Sequence, residues 1–296
     1  MSIKSALTLS VCAVSLVLSG CMSTQNVSQG VGELVIAEPV PVNYKSEIAL
    51  AKLTEVLMRA EVTDSQRAQL FYDRGVVYDS VGLRSLARLD FNRALSIEPT
   101  LVDAYNFIGI HYTQLQEYNQ AYDAFDSALE LEPDHNYAYL NRGIALYYGG
   151  RPSLAVDDLN VFYQLNPSDP YRLLWLYIAD REVSPELAVS RLKSNSHHID
   201  DSLWAKNIIN LFSGDITQRE FIRRLTLQVK SNKELSERLC EAYFYLGKYS
   251  EFSGRINDAS NFYKLALGTN VYEFVEHRYA KLELDLIKQA MVDVNN

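Results

Sequence analysis

The sequence predicts an all-α fold, a solenoid of antiparallel helix pairs, and three coincident spacings carry that reading. Gly75, Gly109 and Gly143 recur every 34 residues, as do Ala87, Ala121 and Ala155, and Pro99, Pro133 and Pro167. Aromatic residues keep the same register: Phe71, Tyr105 and Tyr139 each stand four residues before a glycine, and Tyr78 and Tyr112 three after, with Leu146 in the third copy. Self-similarity at a fixed period of about 20–50 residues is the mark of stacked repeats, so it outranks any short motif in fixing the fold.

One copy shows why the pattern is helical. Phe71, Arg74, Gly75 and Tyr78 fall on one stripe of a first helix, and Ala87, Phe91 and Ala94 on one stripe of a second. Gly75 and Ala87 are small where the two helices must approach, and Pro99 ends the second helix because it cannot continue it. Thr63 with Gln66 has the form of a capping box, and Thr100 and Asp134 stand at the corresponding starts of the next two copies. A 34-residue helix-turn-helix of this kind resembles the tetratricopeptide repeat, in three copies at 68–101, 102–135 and 136–169. The third copy departs modestly, carrying Leu159 and Phe162 in its second helix.

Along the chain, 44–67 reads as an N-terminal helical segment, 68–169 as the three repeats, and 170–239 as degenerate helical repeats. In that interval Ser184-Pro185-Glu186 is a helix start, and Trp204 to Phe212, Gly214 and Gln218 to Val229 read as a hairpin. A further repeat fits 240–273 through Tyr243, Leu246, Gly247, Ala259, Tyr263 and Ala266, with Val271 where proline would stand. Residues 274–296 supply a last helix and tail to cap the solenoid, whose apolar end would otherwise stay exposed.

The first 20 residues read as a signal peptide: Lys4 gives a positive start, and the apolar run from Leu7 to Leu18 is too short to span a bilayer. It ends in Leu18-Ser19-Gly20-Cys21, which looks like a bacterial lipobox, in which Cys21 is lipidated and becomes the new N-terminus. Two or more acyl chains anchor stably where one would not. Met22, rather than aspartate, follows Cys21, and by that resemblance the outer membrane is the expected location, facing the periplasm. Residues 21–43, with Gly30, Gly32, Pro39 and Pro41, read as a flexible, lipid-anchored tether. Once the signal is removed only Cys240 remains beside Cys21, which excludes an intrachain disulfide framework. Cys240 packs as a small hydrophobe or forms an intermolecular disulfide.

Composition narrows the function. The 296 residues are 48% hydrophobic and 22% charged, with ample material for a core. A net charge of −9 argues against nucleic acid as a partner and against binding an anionic membrane by charge alone. Catalytic signatures are missing: there is no His-Glu-x-x-His, no paired cysteine ligands and no Gly-x-Ser-x-Gly elbow. Gly149-Gly150 in the stretch LNRGIALYYGGRP (140–152) fits neither the P-loop nor the dinucleotide fingerprint, and reads as the turn between two helices. No metal and no cofactor beyond the lipid on Cys21 is expected.

What remains is surface. In helical-hairpin solenoids the first helices line a concave groove suited to a peptide or a partner's helix. By repeat position the groove comprises Gln69, Tyr72, Val76, Asp79 and Ser80; Asp103, Asn106, Ile110, Thr113 and Gln114; and Tyr137, Leu140, Ile144, Tyr147 and Tyr148. Tyr72, Asp79, Asn106, Thr113, Tyr137, Tyr147 and Tyr148 are the candidate partner-binding residues. The tyrosines either pack between helices or, as amphipathic rings, form an interaction hot spot.

Leu18-Ser19-Gly20-Cys21, YDRGVVYDSVGLRSLARLDF at 72–91, LNRGIALYYGGR at 140–151 and FVEHRYAKLEL at 274–284 resemble the lipoprotein NlpI family. The resemblance runs from the lipobox to the last helix and is weakest at 22–45 and 185–240. It implies a non-catalytic, homodimeric outer-membrane adaptor that binds peptidoglycan hydrolases and a tail-specific protease of the Prc type, promoting proteolysis of a murein endopeptidase. Two other readings stand beside it: a structural lipoprotein of an outer-membrane protein assembly machine, and an enzyme with a site in 170–239 built from Asp200, Asp201 and His198.

Cys21→Ser is expected to move the protein from the membrane fraction to the soluble fraction while its helical circular dichroism is unchanged; retention in the membrane pellet after the substitution contradicts the lipid anchor.

Overall fold

The computed structural model describes residues 34–59 and 61–295, and all of its regular structure is helical. The signal segment, Cys21 and the tether up to Glu33 lie outside the described residues.

α1 (Tyr44–Leu57) starts at Asn43, whose side chain accepts from the Lys45 backbone N–H at 3.0 Å. It leads into three successive hairpins: α2 (Asp64–Ser80) with α3 (Arg84–Ile97), α4 (Val102–Gln114) with α5 (Tyr118–Leu131), and α6 (Asn136–Tyr148) with α7 (Pro152–Gln164). Next come α8 (Pro170–Val183), α9 (Pro185–Asn195), a single 3₁₀ turn at Ser196–His198, α10 (Lys206–Ser213) and α11 (Gln218–Arg224). A final hairpin of α12 (Asn232–Phe252) and α13 (Ile256–Leu267) precedes the C-terminal helix α14 (Val275–Asn295).

The glycine register is a packing register. A Cβ on Gly75 would stand 2.7 Å from the Phe91 ring, one on Gly109 2.5 Å from Phe125, one on Gly143 2.7 Å from Leu159, and one on Gly247 2.3 Å from Tyr263. In each hairpin the second helix therefore drives one large side chain into a notch that only glycine leaves open. Phe91, Phe125, Leu159 and Tyr263 are fully buried as a result. The hairpin corners repeat too: Gly82, Gly150 and Gly254 have φ of +79°, +71° and +71°, and in the second copy Gln116 occupies the same corner at +62°. A left-handed conformation costs a non-glycine residue about 1–2 kcal/mol, so the second hairpin carries strain that its neighbours avoid.

Arginines lock two of the hairpins. Arg74 of α2 grips Asp90 of α3 through two hydrogen bonds of 2.6 and 3.0 Å, and 68 positions on Arg142 grips Asp158 at 2.7 and 2.8 Å. Both are bidentate pairs across one hairpin, the geometry in which guanidinium and carboxylate match best.

α8 differs from the amphipathic repeats: from Leu173 to Asp180 every residue is buried. A helix apolar on all sides belongs in an interior. Trp175 on α8 lies 5.8 Å from Phe244 on α12 and 5.7 Å from Tyr279 on α14 by ring centroids, so α8 joins the first repeats to the last.

Local details depart from the sequence reading. The Thr63–Gln66 capping box forms. Thr100 instead hydrogen-bonds Glu98, and Leu101 stands at the N-cap of α4 without a side-chain cap. α6 is capped by His135, whose Nδ1 accepts from the Ala138 N–H at 3.0 Å, rather than by Asp134. The tether is not free along its whole length: Leu34 to Val40 lies docked on the last hairpin, with the Val40 N–H bonded to the Thr269 carbonyl at 2.9 Å. Its main chain found partners that its composition does not advertise.

Gly143→Leu is expected to push Leu159 from its notch and lower the melting temperature, with a loss of roughly 1–3 kcal/mol or more as in overpacked cores. An unchanged melting temperature contradicts the packing register.

Candidate partner-binding surfaces

The positions expected to line an open groove meet the chain's own C-terminal helix. α14 packs against α4, α12 and α13. Arg278 on α14 donates to Asp79 Oδ2 at 2.5 Å, and His111 Nε2 lies 2.8 Å from Asp79 Oδ1. Burial works to raise the Asp79 carboxyl, but the hydrogen bond to His111 and the charge of Arg278 outweigh it and hold it below the usual range. Asp79 is therefore a buried anion with two partners, not a surface acid.

Farther along, Tyr148 donates from its hydroxyl to Glu283 on α14 at 2.7 Å and stacks on Tyr279 at 5.3 Å between centroids. Lys248 of α12 completes this cluster, donating to Glu283 at 2.7 Å and Glu251 at 2.8 Å, with its ammonium 5.2 Å from the Tyr147 ring centroid. Burial alone would lower the Lys248 pKa; Glu283, Tyr147 and Glu251 more than offset it and hold the ammonium well above its ordinary value. Burial likewise pushes the Tyr147 and Tyr148 hydroxyls up, so both stay neutral. Tyr147 still borders a cleft of about 430 Å³ with Pro152, Glu182 and Leu286.

The other candidates divide. Asn106 is buried and accepts from Asn141 at 3.0 Å, and the Thr113 hydroxyl donates to Gly109 of its own helix at 2.9 Å. Tyr72 is half-buried, 5.9 Å from Phe91 and 6.3 Å from Phe107 between ring centroids, and its hydroxyl is raised to about 12 by burial and by Asp103 and Asp73. Tyr137 alone of the seven is well exposed, at 60%, resting on Phe162. Asp79, Asn106, Thr113 and Tyr148 thus make contacts within the chain, and of these Asp79 and Tyr148 are bonded to α14.

Asp200, Asp201 and His198 do not converge. Asp200 accepts from the Ser202 N–H, Asp201 pairs with Lys206 at 3.2 Å, and His198 lies tilted against His197, 3.9 Å between ring centroids. Among the described residues no group of three or more His, Cys, Asp or Glu could hold a metal ion, and no helix is long and apolar enough to cross a membrane. Cys240 is buried, and that burial raises its thiol well above the ordinary value.

Sequence reasoning missed a buried acid site beneath α14. Glu241 of α12 accepts from the Trp204 indole N–H at 3.1 Å and from Tyr171 of α8. Glu276 of α14 accepts from Tyr245 at 3.1 Å. Burial pushes Glu241 up to about 8, and the neighbouring Glu276 adds to the shift. Three helices and the segment before α10 meet at two carboxyls that resist being charged together. Only the wide spacing of Trp204, Glu241 and Glu276 in the chain, with no local signal, encodes this.

The folded chain holds the Glu241 proton up to about 8, whereas an unfolded chain releases it near 4.5. Over that window the unfolded state binds fewer protons, so this contribution is complete below 4.5 and is lost as pH rises through about 8. Glu241→Gln is expected to flatten the fall in melting temperature between about pH 5 and 8; an unaltered pH profile in the variant contradicts the assignment.

Residues 102–135 match the model of the tetratricopeptide repeat family. The whole fold is similar to a tetratricopeptide repeat protein from Parabacteroides merdae at 16% identity, covering 83% of this chain and 100% of that one, with a TM-score of 0.53. Weaker likenesses are to MamA (18% identity, 52% of this chain and 89% of that one, TM-score 0.47) and to YrrB, described as a tetratricopeptide protein with an unusual peptide-binding site (15%, 80% and 97%, TM-score 0.43). The chain folds as an all-α solenoid of tetratricopeptide-repeat type.

Proposed function

We propose that the chain is a non-catalytic, lipid-anchored scaffold of the outer membrane that faces the periplasm and gathers other proteins. The observation that carries this is the solenoid itself: repeated hairpins locked at glycine notches, a fold whose use is to present surface to protein partners. The lipobox ending in Cys21 supports the anchor, and the NlpI-type stretches at 72–91, 140–151 and 274–284 support the choice of partners. On that reading the partners are peptidoglycan hydrolases and a Prc-type tail-specific protease. Holding both at one membrane-tethered body raises their effective concentration for each other and so promotes proteolysis of a murein endopeptidase. A homodimer fits the same resemblance.

With Asp79 and Tyr148 engaged by α14, partners meet the apolar side chains that stay exposed. Tyr137, Leu154, Val183 and Leu187, exposed by 60%, 51%, 53% and 69%, are among the anchors the chain offers. No such converging arrangement favours the enzyme reading, since Asp200, Asp201 and His198 each engage a different neighbour.

Affinity purification of the lipidated protein from membranes, followed by mass spectrometry, tests the reading. Recovery of wall hydrolases together with a tail-specific protease is expected, and faster decay of a murein endopeptidase when the purified scaffold is added to that protease. Recovery of outer-membrane assembly components alone would transfer the function to the assembly reading.

A further inference from the structure

The docked segment Leu34–Val40 is held in an unusual way. Every hydrogen bond it makes to the last hairpin uses its main chain. The Tyr243 hydroxyl donates to the Val35 carbonyl. Asn232 engages one residue twice, its Oδ1 accepting from the Glu38 N–H at 3.2 Å and its Nδ2 donating to the Glu38 carbonyl at 3.0 Å. Ser236 donates to that same carbonyl at 2.9 Å, and the Thr269 carbonyl accepts from the Val40 N–H at 2.9 Å.

Asn232 thus offers one donor and one acceptor to a single residue, as a neighbouring β-strand would, and the hairpin reads an extended backbone in the manner of strand addition. The receptor atoms are set in advance: Ser236, Tyr243 and Thr269 are buried residues of rigid helices or their ends. The segment's own side chains are barely used. Leu34, Val35 and Ala37 touch the core, whereas Ile36 is 76% exposed and the Glu38 and Pro39 side chains face solvent. The groove therefore selects an extended chain with a small residue at the Ala37 position and an apolar one at Val35, not this sequence in particular.

The groove also continues past its occupant. Beyond Val40 lies a cleft of about 580 Å³, walled on one side by the chain's own Pro41, Val42 and Asn43 and on the other by Lys233, Glu237, Tyr272 and Phe274. Five hydrogen bonds and three partly buried side chains are set against the entropy of ordering seven residues, two opposing terms of similar size. Such an occupant is exchangeable.

We propose that the face of α12 and α13 is a binding groove for an extended, unstructured polypeptide segment of a partner protein, and that Leu34–Val40 is a built-in strap that fills it until the partner displaces it. The proposal rests on the scaffold reading and adds to it the site and the chemistry of one class of client. A strap that occupies the groove nine times in ten weakens a competing peptide about tenfold.

The test uses a fluorescein-labelled peptide with the sequence of residues 34–43 and the full chain in three forms: wild type, Leu34–Val40 replaced by glycine and serine, and Ala37→Arg as a milder way to unseat the strap. Fluorescence anisotropy is expected to show at least tenfold tighter binding to both altered chains than to wild type, and loss of that gain when Asn232→Ala and Ser236→Ala are added. Equal, weak binding by all three forms with unchanged helical circular dichroism overturns the proposal. So does a wild-type dimer that becomes monomeric on strap replacement, which would make the occupant the strap of a second copy. Recovery of wall enzymes by the wild-type scaffold is measured separately, so loss of this groove and loss of the scaffold reading give different results.

Discussion

The buried pairing of Lys248 with Glu283 is the contact on which the rest of the structure turns. Both side chains are almost fully withdrawn from water, at 3% and 4% exposure, and two buried charges are tolerated only with close geometry and further hydrogen bonds. Glu251 and Tyr148 supply those bonds. The cluster ties α12 to α14 and, through Tyr148, to the third repeat, three segments separated by as many as 135 residues. Five residues earlier in the same helix, Arg278 fastens to Asp79 of the first repeat. α14 is thereby joined to the first and third repeats as well as to the last hairpin.

That arrangement changes what the repeats are for. An open solenoid offers its inner face to a ligand; here Asp79 and Tyr148, at inner-face positions of the repeat pattern, are engaged by α14 instead. The last hairpin repeats the theme in a looser form. It receives a segment of its own chain, but through main-chain atoms and partial burial, without any buried charge. One self-contact is rigid because removing a partner would strand a charge, the other is exchangeable because nothing would be stranded.

The repeats were legible in the sequence because their physics is local. A glycine notch, the large side chain that fills it 16 residues later and the corner between them all lie within one 34-residue copy, as in Gly75, Gly82 and Phe91. The candidate site was not legible to the same degree. Asp79, Asn106 and Tyr148 occupy groove positions in the repeat pattern, yet their partners are Arg278, Asn141 and Glu283, and the first and last lie in a helix outside the repeats. Period and amphipathicity reveal which stripe of a helix is apolar; they do not reveal which distant segment comes to cover it. The docking of Leu34–Val40 escaped for a related reason, since recognition through backbone atoms leaves almost no mark on residue choice.

Amide hydrogen exchange along α14 tests the central claim most directly. If α14 is held firmly by Asp79, Tyr148 and Lys248, amides from Arg278 to Ile287 exchange only with global unfolding, as slowly as those of buried α12 between Cys240 and Leu246. Exchange of that α14 stretch orders of magnitude faster than α12 would show a helix that leaves the groove freely, and would return the concave face to the role of an open binding site.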